Sequence, residues 1–356
     1  MKELHDINWY AKEIKKALTI DLYKPAPERL LGGLAYIFGV VTGMILIIHI
    51  NNIFIMLAIS LLLGFCFASL GFLGHEILHG SVVKTPWLKN ILGGICFSLL
   101  SVGPRLWTRW HNTIHHAHTQ DESKDPDAWL SFEQYCRSGF LKLVYKLPKN
   151  LRSFVSFASL GIFFSIHSLR MLVTCFRKFK NEKLVFIIEF IIPWSMWLLL
   201  LTYIGFYKWI FIYLIPLYVG NFIVMSYIST NHRLNPLVDI NDPLANSLSV
   251  NVPKWLDILN FNFSYHVEHH LFAGVSSKHY PMIKKEILKL WPERYHQMPL
   301  IKALILLWKT PRIYYNSTKL VDPSNGHTYM SLGNGLDTEH LNHKITNISC
   351  KIIDNR

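Results

Sequence analysis

Residues 30–75 read LLGGLAYIFGVVTGMILIIHINNIFIMLAISLLLGFCFASLGFLGH, 46 consecutive positions without Asp, Glu, Lys or Arg. A helix of a soluble protein keeps a polar face, whereas one bilayer crossing takes about 20 apolar residues. The stretch therefore reads as two crossings, near 31–49 and 53–73, with Asn51 and Asn52 turning between them. Outward from it, a second pair lies at about 184–204 and 209–228, joined by Gly205, Phe206, Tyr207 and Lys208. Glu189 and Pro193 interrupt the third crossing, which neighbouring helices can absorb. Ile91–Val102 would span only about 18 Å as a helix, too short to cross, and reads as buried or re-entrant. Phe154–Phe176 is long enough, but His167, Arg170 and several serines break it, and an interfacial helix is expected. The predicted fold class is an all-α integral membrane protein with four transmembrane helices.

Composition agrees. Of the 356 residues 51% are hydrophobic and 17% charged, against roughly 25% charged in an average soluble domain. An ordinary soluble enzyme and a disordered chain are both excluded. The net charge of +13 would suggest nucleic acid on a soluble chain. Here, with the crossings above, 35 of the 36 Lys and Arg fall on one side and Lys208 alone on the other. By the positive-inside rule both termini and the long segments 74–183 and 229–356 are expected to be cytoplasmic, and no nucleic-acid partner is implied. The N-terminus is polar past residue 25 and lacks the apolar core of a cleaved signal peptide. The five cysteines are far apart and no two form a CxxC, so neither a disulfide framework nor a thiolate metal site is expected. The chain divides into a cytoplasmic segment 1–29, a membrane domain 30–310 and a loose polar tail 311–356.

Eighteen histidines are many, and their placement says more than their number. GHEILHG sets His75 and His79 four apart just after the second crossing. WHNTIHHAHT carries His111, His115, His116 and His118, and YHVEHHLF carries His266, His269 and His270. All three clusters fall on the same expected side of the membrane. On a helix, positions four apart share a face, so His75 pairs with His79, and His269 and His270 lie within roughly 100° of His266. Imidazole is a neutral ligand that suits several metals. Eight or more clustered histidines exceed what one four-coordinate ion uses, which points to two ions. His5, His49, His167, His279, His296, His327, His340 and His343 read as ordinary surface or hydrogen-bonded residues. In the second cluster, ideal helical phase puts His118 on the face of His111 and His115 and turns His116 away. Either the helix is distorted there or His118 competes as ligand; His116 is retained.

These boxes resemble the membrane fatty acid desaturase superfamily, whose HxxxH, HxxHH or HxxxHH, and HxxHH motifs match His75–His79, His111–His116 and His266–His270. The resemblance covers roughly residues 30–310, and Arg109-Trp110-His111-Asn112, Asp125-Pro126-Asp127 and EHHLF add to it. It implies a cytoplasmic, histidine-rich helical cap holding two iron ions, with O2 as co-substrate. The substrate would be a fatty acyl chain on a membrane lipid or on CoA. It also implies a further ligand between the last crossing and the third box, matched by His232. The implied iron ligands are thus His75, His79, His111, His115, His116, His232, His266, His269 and His270. Glu76 and Glu268, inside the boxes, are expected to accept from imidazole N–H groups, surface carboxylates being the alternative. Ile228 stands where acyl-CoA members carry asparagine, four residues before His232. Ala273 follows EHHLF where many relatives have proline.

No His-Pro-Gly-Gly haem motif is present, so an external electron donor is implied: ferredoxin, flavodoxin or cytochrome. Lys278, Lys284, Lys285 and Lys289 are candidates for steering it. The alternative enzyme is a hydroxylase or ketolase of the same superfamily, acting on a carotenoid or alkane. A metal transporter would place its ligands within the crossings, where only His49 lies. A zinc hydrolase built on HEILH, with Glu76 as base, leaves the remaining histidines without a role.

Overall fold

The computed structural model describes residues 3–18, 21–336, 343–345 and 350. The polar N-terminal segment holds α1 (Ile7–Ala17), and the uncharged stretch becomes α2 (Arg29–His49) and α3 (Ile53–Leu78). The break between the last two has a local cause. Asn52 Oδ1 accepts from the backbone N–H groups of Phe54 (3.0 Å) and Ile55 (3.1 Å), capping donors that the start of a helix leaves open. Next, α4 (Pro86–Ser98) starts on a proline and packs on α3. Its 13 residues span about 20 Å, so this stretch is a short packed helix.

After a π-helical turn (Thr108–His115) and short helical pieces come α5 (Leu160–Lys178), α6 (Lys183–Trp209) and α7 (Ile215–His232). Residues Lys180–His232 form one helical run of 53 residues, about 80 Å if straight and too long for one crossing. Gly205 breaks it at φ 77°, ψ 159°, a conformation open to glycine, and the run folds into a second hairpin. Trp209 Nε1 donates to the Trp197 carbonyl across it (2.8 Å), and Trp197 stacks on Tyr213. At the hairpin tip Lys208 Nζ donates to the carbonyls of Ile47 (2.9 Å) and Ile50 and to Asn51 Oδ1 (3.1 Å). Both hairpin turns therefore sit together, at the end opposite the C-termini of α3 and α7. Outward-facing Leu34, Phe38, Phe54, Leu62 and Leu199 are exposed and apolar, as a surface against lipid must be.

Among the described residues four helical runs are long and apolar enough to cross a membrane: α2, α3, α5 and Lys180–His232. The interfacial helix expected at Phe154–Phe176 thus meets the length requirement as α5. Of its interrupting polar residues His167 and Ser168 are buried and Arg170 is exposed, while Ile162, Ile166 and Val173 present an apolar outer face. Gly161 lets α5 approach α7, since a Cβ there would lie 2.2 Å from the Tyr218 ring.

Beyond the bundle come α8 (His266–Leu271), α9 (Tyr280–Leu290) and α10 (Leu300–Lys309). Three expectations are corrected here. The chain is mostly helical but not all-α: β1 (Ser249–Asn251) pairs in parallel with β2 (Gln297–Pro299). The tail after Pro311 is not loose, because β3 (Tyr314–Asn316), β4 (Lys319–Val321), β5 (His327–Met330) and β6 (His343–Lys344) form an antiparallel sheet. Leu320 and Val321 are buried, and the Tyr314 hydroxyl donates to the carbonyls of Arg233 (3.1 Å) and Asn235. A disulfide joins Cys136 to Cys350 across 214 residues, a pairing that spacing along the chain does not reveal. The rest of the tail, including His340, lies outside the described residues.

Candidate metal centre

Four separate elements deliver the histidines. The last turn of α3 brings His75 with His79 just beyond it, the π-helical turn brings His111 and His115 with His116 next, α7 ends on His232, and α8 carries His266, His269 and His270. The ring nitrogens of His75, His79, His111, His116 and His269 lie within 4.8 Å of one another, as do those of His115, His232 and His270. His266 joins the second group: its Nε2 is 2.7 Å from His232 Nε2 and 3.1 Å from His270 Nε2. All nine expected residues meet at one end of the bundle. His118, partly exposed, is in neither group. The reason is the π-helical turn, whose i→i+5 bonding lets the His116 N–H reach the His111 carbonyl and brings onto one face the two residues that an ideal α-helix would splay.

The separations suit shared cations. His111 Nε2 is 3.1 Å from both His75 Nε2 and His116 Nε2, and His269 Nε2 is 3.0 Å from His116 Nε2. Two nitrogens at right angles on one ion, each about 2.1 Å from it, lie roughly 3.0 Å apart. His79 Nε2 is buried without a hydrogen-bond partner among the described residues, as a ligand atom would be.

The opposite ring nitrogens fix three tautomers. His232 Nδ1 faces the Asn246 carbonyl (3.2 Å), an acceptor only, and so carries the proton. His115 Nδ1 faces Asp125 Oδ1 (2.9 Å). Thr119 Oγ1 gives its hydrogen to the His115 carbonyl (2.9 Å) and therefore accepts from His270 Nδ1 (3.2 Å). In each ring, when neutral, Nε2 is left with a lone pair, and these are three of the four residues of the second group. Such partners set ligand orientation and basicity. His269 Nδ1 has the Tyr280 hydroxyl at 3.1 Å.

Electrostatics agree. Burial holds His111, His116, His266, His269 and His270 well below the ordinary histidine range, with neighbouring imidazoles adding to it, so they are neutral and ready to ligate. His115 differs. Burial opposes its charge too, but Asp125, with Asp127 at 3.6 Å, outweighs that and lifts it to about 9. A ring made this basic is a strong nitrogen donor, and a cation at Nε2 competes there with the second proton.

The two glutamates are corrected. Glu76 accepts from Ser276 Oγ (2.7 Å), the Ser277 N–H (3.1 Å) and Arg29 Nε (3.1 Å). Glu268 accepts from Ser249 Oγ (2.7 Å) and the Tyr295 hydroxyl (2.5 Å). Neither meets an imidazole. Glu76 fastens the end of α3 to the start of α2, which leaves no base for HEILH chemistry. The orienting carboxylates are Asp125 and Asp127, signalled in the sequence only by the Asp-Pro-Asp after the second box. Asp127 in turn accepts from His167 Nε2 (2.7 Å) and Trp110 Nε1 (2.8 Å), so His167, read as ordinary, supports the site. His5, His49, His279, His296 and His327 stay outside it.

Beside the imidazoles lies a cavity of about 270 Å³, lined by His75, His111, His115, His232 and His266 and by Trp107, Phe163, Phe164, Met225 and Ile228. Apolar walls ending at a nitrogen-rich floor suit a hydrocarbon ligand.

Known proteins agree with this picture. The chain is 23% identical over 302 residues to the sn-1 oleoyl-lipid 12-desaturase of a Picosynechococcus species, covering 80% of this chain and 84% of that protein. It is 23% identical over 234 residues to the chloroplastic omega-6 fatty acid desaturase of Spinacia oleracea, covering 62% and 51%. Over 119 residues it is 29% identical to the sn-1 acyl-lipid omega-3 desaturase (ferredoxin) of a Synechocystis species, a third of each chain. The family model described as fatty acid desaturase matches residues 51–301, a span that contains all three histidine boxes and His232. The chain therefore belongs to the fatty acid desaturase family, and it is an oxidoreductase of lipid metabolism.

Proposed function

We propose that this protein introduces a double bond into the acyl chain of a membrane lipid, using O2, two iron ions on the nine clustered histidines and electrons from an external donor. The observation that carries the reading is the pair of imidazole groups forming the floor of an apolar cavity, with three Nδ1 protons fixed outward. The names of the relatives support a lipid-borne substrate over acyl-CoA, and Ile228 in place of asparagine fits that choice. One relative's name includes ferredoxin, which supports a small soluble donor.

Bound iron would supply the redox chemistry that removes two hydrogens from neighbouring methylenes while O2, taking two donor electrons and two protons from solvent, is reduced to two waters. The chain's own residues do the rest. Phe163, Phe164, Met225 and Ile228 hold an acyl chain that offers no polar handle, and they exclude water. Asp125, Thr119 and the Asn246 carbonyl keep the proton of their histidine on Nδ1. Positive-inside charge supports a cytoplasmic site in a multi-pass protein, the side on which a soluble donor waits. The expected basic docking patch is partly spent: Lys278 pairs with Glu28, and Lys289 lies 3.7 Å from Glu286.

The test is expression in a host lacking the product, with gas chromatography of its lipids and metal analysis of the purified protein. A new double bond and about two irons per chain are expected. Unchanged acyl chains with a hydroxylated terpenoid would replace this reading by the hydroxylase, and one zinc per chain would end it.

A further inference from the structure

Two arginines are buried without an ion-pair partner among the described residues. Arg233 is 6% exposed and Arg312 8%. The Arg233 guanidinium lies 3.8 Å from the centre of the Trp129 ring and 4.9 Å from that of Phe163, and the Arg312 guanidinium lies 5.8 Å from Trp129. Neither guanidinium makes an ion pair or hydrogen bond among the described residues. The nearby carboxylates are taken: Asp127 by His167 and Trp110, Asp322 by Arg152. Ring stacking returns little, while burying an unpaired charge costs far more. Two like charges beside one indole also repel each other. An arginine fork aimed at nothing is a site for an oxyanion.

Trp129 and Leu130 form the shared wall of two cavities. One is the cavity floored by the histidines, which Arg233 also lines. The other, also about 270 Å³, is lined by Arg312 together with Arg152, Lys149 and Lys309 and by apolar residues such as Val144 and Trp308. We infer that Arg233 and Arg312 bind the anionic group of the acyl lipid beside Trp129, with its hydrocarbon chain passing along the aromatic wall to the histidines. This rests on the desaturase reading and adds to it a substrate class: a lipid bearing an oxyanion, a phosphodiester or a carboxylate, rather than a neutral glycolipid.

The test uses the purified full-length, iron-loaded protein in a neutral detergent. Native mass spectrometry and thermal unfolding compare phosphatidylglycerol, a neutral galactolipid with the same acyl chains, oleate and inorganic phosphate. Phosphatidylglycerol or oleate is expected to bind about tenfold more tightly than the galactolipid. Arg312→Gln is expected to erase that preference with iron content retained, and Arg312→Lys to restore part of it. Preference for phosphatidylglycerol identifies the phosphodiester, and preference for oleate the carboxylate. Inorganic phosphate competing with neither lipid, or equal binding of anionic and neutral lipids by the unmodified protein, overturns the inference. Double bonds formed without any anion preference would remove this site and leave the desaturase reading standing. Anion preference in a protein that holds no iron and makes no double bond would do the reverse.

Discussion

His116 and His118 are two positions apart and chemically identical, yet only His116 reaches the other boxes. His118→Ala is expected to leave the metal content unchanged, whereas His116→Ala removes a nitrogen from the five-histidine group and lowers it; metal analysis of the two purified variants checks this. Asp125 acts through His115. Asp125→Asn keeps an acceptor but removes the charge that makes the ring basic, and metal affinity is expected to fall about 10- to 100-fold, read by competition with a chelator. Most of this residue-scale detail was legible: nine positions came from box spacing and family resemblance, and the structure gathers all nine. The pairing of Asp127 with His167 was not, because a carboxylate 40 residues from its imidazole partner leaves no periodic trace. The glutamates misled for the opposite reason, since proximity in sequence to a histidine says nothing about the direction a buried carboxylate faces.

Among the elements, the hairpins were readable from apolar length alone and the π-helical turn was visible only as a conflict of phase. One ambiguity, the status of α5, is resolved by topology. His115 and His232 meet, so a membrane-crossing chain is expected to cross the bilayer an even number of times between them. The two limbs of the second hairpin, on either side of Gly205, would supply those crossings, and α5, although long enough, is expected to stay on the histidine side. Reporter fusions at residues 147 and 181, flanking α5, are expected to report the same side of the membrane, and opposite sides would break this count. Close packing of α5 on α7 depends on Gly161. Gly161→Val would drive a side chain into Tyr218 and is expected to cost about 1–3 kcal/mol, measured as a lowered unfolding midpoint.

Across the whole molecule, the imidazoles tie together four elements that are distant in sequence. Stripping the metal with a strong chelator is therefore expected to lower the thermal midpoint by on the order of 5 °C, restored by iron and followed by scanning fluorimetry. The polar end of the chain was the least legible part. Its short strands, Tyr314–Asn316 and Lys319–Val321, are too brief for alternation to register, and their order comes from distant partners such as the Arg233 carbonyl. The opposite pole is simpler. On the positive-inside expectation Lys208 lies opposite the other Lys and Arg residues, and in the structure carbonyls at the neighbouring turn absorb its charge. The signal for orientation is thus one-sided, and its single exception becomes a clasp. Lys208→Met would thread into the membrane as readily as the parent chain, but its two hairpins would lose their fastening at that pole.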